Sequence, residues 1–227
     1  GDLYLNIKVK PIGLLDLIAF TKLKPSRMKR FEKASDKDIN VQPAMNKLAS
    51  IMHPKEQVII INDIKEEIPK VKTFKLTMEN KETPAYFRAG QYISVKAQVE
   101  ESQITRPYSL SSSPEQALKG EYTITIKEND EGFFSKWALE NWKKGDKISV
   151  SAPEGAFYYE PIRDAENVIG LCGGSGITPF FSMAKAIVEK TEDFNLTLLY
   201  GCCKECDILF RDELMELEKK SNGKFKV

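Results

Sequence analysis

The chain has 227 residues, 41% of them hydrophobic and 30% charged, which is the balance of a folded protein with one large domain or two modest ones. A net charge of +1 gives no overall electrostatic reason for nucleic-acid binding. No apolar run approaches the ~20 residues that span a bilayer, and PIGLLDLIAF is interrupted by Asp16 and followed by no small-residue cleavage site.

Residues 1–55 differ from the rest, with eleven basic side chains against five acidic ones. Five of the bases fall between Lys22 and Arg30 with no acid among them. Alternation at Leu3, Leu5, Ile7 and Val9 predicts a short strand, and Pro11, Pro25, Pro43 and Pro54 punctuate short helices after it. The segment reads as an appended, mainly helical extension. Its basic run suits a solvated helix face, or the docking of an acidic redox partner or a membrane surface.

From Gln57 the texture becomes β-rich. The β-rich stretches QVIIINDIKEEI, VKTFKLTM, QYISVKAQV, EYTITIKEN and DKISVSA are separated by Gly, Pro, Asn and Asp turns at fairly even spacing. That spacing predicts an antiparallel barrel or sandwich over residues 56–162. One helix, FFSKWALENW, interrupts it after Gly132. From residue 163 the pattern changes again. NVIGLCGG and LTLLYGCC are apolar strands, followed by the helices TPFFSMAKAIVEK and DILFRDELMELEKK, and KFKV opens a third strand. This βαβα order predicts a parallel sheet covered by helices over residues 163–227.

Three turns carry chemistry. In GLCGGSGITP, a strand runs through Gly173, Gly174 and Gly176 into a helix opened by Thr178 and Pro179. Glycines let an anion approach the backbone, and the N–H groups and dipole of a helix N-terminus favour it there. Thr178 is placed to cap the helix or to donate to a phosphate. The spacing is not G-x-G-x-x-G, and a tight βα turn using glycines only for packing is the plain alternative. In ITRPYSLSSSP, Arg106 follows a strand and precedes a proline-stiffened turn at Pro107. Its guanidinium suits bidentate pairing with phosphate. Tyr108 offers a flat face, Ser109 a hydroxyl for a ring nitrogen, and Ser111 to Ser113 further hydroxyls and exposed amides. A serine-rich surface loop is the alternative. In KENDEGFFSKW, Gly132, Phe133, Phe134 and Ser135 open a helix after a strand, giving a second anion seat or a plain capped helix.

Together these residues resemble the ferredoxin–NADP reductase superfamily. RPYSLSSSP is similar to its R-x-Y-S flavin motif, FRAGQYISV to the strand before it, and EGFFS to its G-x-x-S pyrophosphate turn. KKGDKISVSAPEGAF looks like the strand that closes its barrel, GGSGITP like its nicotinamide-nucleotide turn, and DILFRDEL like the helix after its second parallel strand. The pieces occur in the family's order from Gln57 to Val227.

The resemblance implies an antiparallel flavin-binding barrel followed by a parallel NAD(P)-binding domain that passes a hydride from NAD(P)H to FAD and electrons onward. It implies that Arg106 pairs with the flavin phosphate and that Pro107, Leu110 and Ser111 belong to the same flavin-binding stretch. Tyr108 would pack on the flavin and Ser109 would hydrogen-bond near its N5. Gly132, Phe133, Phe134 and Ser135 would hold the pyrophosphate, favouring FAD over FMN, and Gly173, Gly174, Gly176 and Thr178 would face NAD(P)H. The partners implied are NAD(P)H and an electron-transfer protein or a 2Fe–2S domain; a cytoplasmic setting is read separately, from the late, uneven placing of the four cysteines. An arginine that often reads the 2′-phosphate of NADP is replaced at about Cys203, with Lys204 beside it, and this favours NADH. Family members usually continue through a C-G-x-x-x-M-like motif, so the chain is expected to be a fragment with an incomplete nucleotide domain. A non-catalytic flavin-binding relay or regulatory subunit is the other reading. Cys172, Cys202, Cys203 and Cys206 do not form a spaced framework and read as reduced thiols at strand ends, with metal binding by CCKEC as the alternative.

Overall fold

The computed structural model describes residues 44–227 except 81 and 100, and before them Gly13, Ile18, Thr21, Pro25, residues 27–30, Glu32 and Lys33. Of these early residues, Ile18, Thr21, Pro25, 27–30 and Glu32 are helical. The strand expected at Leu3, Leu5, Ile7 and Val9 lies outside the described residues. Residues Gly1–Pro43 form one unit and Ala44–Val227 another. Two sheets make up the second unit.

This unit begins with α1 (Ala44–Met52), then β1 (Gln57–Ile68), β2 (Val71–Met78), β3 (Tyr92–Val99) and β4 (Ser102–Ser109). Next come α2 (Pro114–Leu118), β5 (Glu121–Lys127), α3 (Phe133–Asn141) and β6 (Lys147–Val150). These six strands form one antiparallel sheet in the order β4-β3-β6-β1-β2-β5. A bridge from Leu110, just past β4, to Ile124 of β5 joins the two outer strands, so the sheet curls into a barrel. Alternation decides what lies inside: Phe74, Leu76, Ile93, Val95, Tyr122, Ile124 and Ile126 are all buried. Helix α3 plugs the barrel through Phe134, Ala138 and Leu139, with Trp142 just after it meeting Phe74 edge-on at 5.1 Å.

One boundary differs from the sequence expectation. Arg106 does not follow a strand; it lies within β4, opposite Val95, with Pro107 opposite Ser94. A proline inside a strand is tolerated here because β4 is an outer strand and needs no ladder donor on its open side.

The second sheet is parallel, in the order β7 (Asn167–Gly173), β8 (Asn195–Gly201), β9 (Phe225–Lys226). The third strand expected at KFKV is therefore present. Helices α4 (Thr178–Val188) and α5 (Arg211–Lys220) cover one face, where Leu196, Leu198 and Phe225 are buried. Gly170 is required on that face, because a Cβ would lie 2.6 Å from the Phe180 ring. The opposite face presents Ile169, Leu171 and Leu199, all exposed. Two helix starts differ from expectation. Helix α5 begins only at Arg211, because Phe210 adopts a left-handed conformation with φ 59°. Thr178 does not cap α4: Ile177 is the N-cap, and the Thr178 hydroxyl donates to the Ser175 carbonyl at 3.1 Å.

Barrel and parallel sheet are fixed to each other. The Tyr159 and Phe194 rings stack at 4.2 Å. Arg88 pairs with Glu160 at 2.7 Å, donates to the Tyr159 carbonyl at 2.6 Å and reaches Glu192 at 3.6 Å. Gly90, with φ +104°, lets the Phe157 carbonyl approach to where a Cβ would meet it at 2.0 Å. No helix among the described residues is long and apolar enough to cross a membrane.

Candidate functional site

Strand β4 presents its motif toward solvent. The Arg106 guanidinium is exposed, donates only to its neighbour's carbonyl on Thr105 at 2.9 Å, and has no carboxylate partner among the described residues. Its remaining donors are free for an anion. Pro107 beside it is exposed. Tyr108 is half-buried and tilts against Phe134, centroids 6.1 Å apart. Burial pushes its phenol up to about 12, while the Arg106 charge pulls the other way. The phenol therefore stays protonated at ordinary pH, which disfavours a role as a base. Ser109 is half-buried at the end of β4, opposite Tyr92.

The next residues turn inward. Leu110 is fully buried and its N–H donates to the Gln91 carbonyl at 3.0 Å. Ser111, Ser112 and Ser113 are fully buried, not exposed as the sequence led us to expect. The Ser111 hydroxyl bonds to Thr123 at 2.9 Å and Thr125 at 3.1 Å, and its N–H donates to the Thr123 carbonyl. The Ser112 hydroxyl accepts from the Thr123 N–H, and Ser113 forms a capping box with Gln116 at the start of α2. The reason is tertiary: helix α4 of the second sheet packs over this segment, with Ser182 donating to the Ser112 carbonyl at 2.6 Å.

The second turn is built around Gly132, the N-cap of α3. The Ser135 hydroxyl is buried; it accepts from the Asn129 N–H at 3.0 Å and donates to the Gly132 carbonyl at 3.2 Å, so it braces the turn. Phe133 is exposed, whereas Phe134 is buried among Tyr108, Trp137 and Trp142. Phe134 is thus the contact that holds the second turn beside the β4 motif.

The glycine turn runs from Gly173 through a short 3-10 segment, Gly174–Ile177, into α4. Gly174 takes φ +51°. A Cβ at Gly173, Gly174 or Gly176 would meet nothing closer than 3.6 Å, so the backbone is open to an approaching group. The nearest atom to Gly174 in that sense is the Lys127 ammonium, at 3.7 Å. Lys127 ends β5, five residues before Gly132, and has no ion-pair partner among the described residues. One cation therefore stands between the glycine turn and the strand that leads into the second turn. Local sequence did not single out Lys127, because its neighbour is 47 positions away. Tyr200 was also missed: its hydroxyl donates to the Gly174 carbonyl at 3.0 Å and accepts from the Leu209 N–H at 3.1 Å.

Exposed guanidinium, free ammonium, open glycine backbone and a half-buried ring form a donor set that fits an anionic dinucleotide with a flat head. The cysteines are all free thiols. Burial, with Cys202 nearby, pushes Cys172 up to about 11, away from reactive thiolate chemistry. Among the described residues no group of three or more His, Cys, Asp or Glu side chains is placed to hold a metal ion.

Comparison with known proteins decides the kinship. The family model for the oxidoreductase FAD-binding domain matches residues 59–159, and that for the oxidoreductase NAD-binding domain matches residues 171–227. The chain thus pairs an oxidoreductase FAD-binding domain with an oxidoreductase NAD-binding domain. An NADH-cytochrome b5 reductase 1 of Dictyostelium discoideum is 36% identical over 156 residues, covering 68% of this chain and 52% of the relative. One from Cryptococcus neoformans is 34% identical over 139 residues, covering 61% and 46%. The glycine betaine monooxygenase reductase subunit of Pseudomonas aeruginosa is 29% identical over 135 residues, covering 60% and 36%. The chain thus spans about half the length, or less, of these relatives. Among solved structures, the cytochrome b5 reductase domain of Ulva prolifera nitrate reductase aligns with TM-score 0.65 at 24% identity, covering 78% of this chain and 73% of that one. The ferredoxin-NADP+ reductase of Plasmodium falciparum aligns with TM-score 0.62 at 21% identity, covering 78% and 74%. The antiparallel sheet lies in the part that matches the FAD-binding domain, and the parallel sheet follows it, in the part that matches the NAD-binding domain.

Proposed function

We propose that the chain holds FAD along β4 and the start of α3, receives NAD(P)H at the glycine turn, and passes electrons from the flavin to a redox protein. The observation that carries this is the meeting of the two motif sets: Tyr108 on Phe134, and Lys127 beside Gly174. When bound, FAD supplies the hydride acceptor and the electron relay. The chain's residues orient it. Arg106 neutralises a phosphate, the turn Gly132–Ser135 seats the pyrophosphate, Tyr108 packs on the ring system and Ser109 faces the reacting edge with its hydroxyl. Gly173, Gly174, Gly176 and Thr178 shape the nicotinamide-nucleotide seat. We divide the chain accordingly into an extension (1–55), a FAD-binding barrel (56–162) and an NAD(P)-binding part (163–227).

Relatives named NADH-cytochrome b5 reductases support NADH as donor, in line with Cys203 where a 2′-phosphate reader is expected. Their names also support a small redox protein of the cytochrome b5 kind as acceptor. Free thiols support a reducing, cytoplasmic setting. The test is to load the chain with FAD and follow its visible absorbance on anaerobic addition of NADH and NADPH. Bleaching, faster with NADH, is expected. FAD that binds but is not bleached by either nucleotide identifies a flavin-binding relay instead.

A further inference from the structure

Between the barrel and α4–α5 lies a cavity of about 310 Å³, with Thr73, Ser111, Thr123, Phe181 and Lys185 among its walls. Lys185 is half-buried there, and no carboxylate lies within ion-pair distance of it among the described residues. Its ammonium donates to the Ser111 carbonyl at 2.9 Å, reaches the Gln116 side-chain oxygen at 3.4 Å and sits 4.0 Å over the Phe181 ring. The surrounding charged groups are Lys65 and Glu67 on β1, Glu121 on β5, Glu189 just after α4, and Glu213, Glu216 and Lys220 on α5. They act on Lys185 only at a distance. The short-range partners of the charge are thus all acceptors from the segment that continues the β4 motif, together with one ring of its own helix. One helical turn earlier, Ser182 grips the adjacent carbonyl, Ser112, at 2.6 Å. Desolvation lowers Lys185 to about 8, so keeping an amine here has a cost that a plain core residue would not carry.

The same helix starts at the glycine turn. Its first turn belongs to the nucleotide seat and its next two hold the end of the flavin motif. Leu110, fully buried and bridged to Ile124, links the held carbonyls rigidly to Ser109.

We infer that Ser182 and Lys185 are positioning residues for the flavin motif: by gripping the carbonyls of Ser112 and Ser111 they set where β4 ends, and so where Tyr108 and Ser109 stand against FAD. This rests on the flavin reading above. The test uses the full chain carrying Ser182→Ala, Lys185→Met or Lys185→Arg. Three quantities are read: FAD affinity by fluorescence titration, visible circular dichroism of bound FAD, and amide exchange of residues 110–113. Ser182→Ala and Lys185→Met each weaken FAD by about tenfold, on the scale of one hydrogen bond, alter the visible dichroism and speed exchange at Ser111. Lys185→Arg restores the dichroism. If Lys185→Met does not fold, Ser182→Ala alone decides. Folded variants that match wild type in affinity, dichroism and exchange overturn the inference alone. A wild-type chain that takes up no FAD overturns the flavin reading, and the inference falls with it.

Discussion

The Tyr200 hydroxyl bridges two backbone groups, donating to the Gly174 carbonyl at 3.0 Å and accepting from the Leu209 N–H at 3.1 Å. One phenol on β8 thus ties the glycine turn to the loop that leads into α5. Burial holds its proton well above the ordinary tyrosine range, so the bridge persists across physiological pH. Tyr200→Phe keeps the ring and leaves the Leu209 N–H without this acceptor. It is expected to cost about 1–3 kcal/mol in urea unfolding and to weaken NADH binding more than FAD binding. Unchanged stability would mean that the bridge contributes nothing to the fold.

Lys127 is exposed and its ammonium stands beside Gly174. Lys127→Met should therefore leave unfolding unchanged while weakening ADP-ribose or NADH by roughly tenfold, the scale of a charge-assisted contact. Isothermal titration reads both ligands directly.

Gly90 and Gly120 separate two causes of glycine requirement. Both have positive φ, +104° and +93°. A Cβ at Gly120 meets nothing within 4 Å, whereas at Gly90 it meets the Phe157 carbonyl at 2.0 Å. Gly120→Ala should cost only backbone strain, about 1 kcal/mol. Gly90→Ala should cost well over that or prevent folding, because the backbone at Phe157 has to move. Equal melting temperatures for the two variants would contradict this.

Stability should change with pH in two opposed steps. Lys185 is lowered from 10.5 to about 8, so between those values the unfolded chain binds the extra proton and stability rises with pH. Tyr108 is raised from 10.0 to about 12, so above 10.0 the unfolded chain loses its proton first and stability falls. Buried Tyr122 and half-buried Tyr200 act in the same direction as Tyr108. Denaturant unfolding as a function of pH should show Lys185→Met lacking the rise and Tyr108→Phe softening the fall.

Much of the fold was legible because local patterns carried it. Strands β1, β2 and β5 announced themselves by β-rich composition between turn residues, and α3 by the stretch FFSKWALENW after Gly132. Strand β4 was only half read, since Pro107 and the serines imitate a turn, and only its place at the sheet's edge makes a proline acceptable. The start of α5 was misplaced because nothing in DILF marks Phe210 as left-handed. In the site, the three motifs could be quoted from sequence, but the burial of Ser111, Ser112 and Ser113 could not. It is imposed by α4, some 70 residues later. Lys127, Lys185 and Tyr200 escaped for the same reason: each stands against a segment far along the chain.

The central claim is that the β4 motif is a flavin site anchored by Arg106, and FAD titration of wild type and Arg106→Ala tests it most directly. The guanidinium is exposed and, among the described residues, bonds only to the carbonyl of Thr105, so its removal should leave thermal unfolding unchanged. A flavin phosphate held by Arg106 predicts stoichiometric FAD uptake by wild type and a loss of about 1.5–3 kcal/mol, roughly ten- to a hundredfold, in the variant. Equal FAD affinity in the two proteins would contradict it.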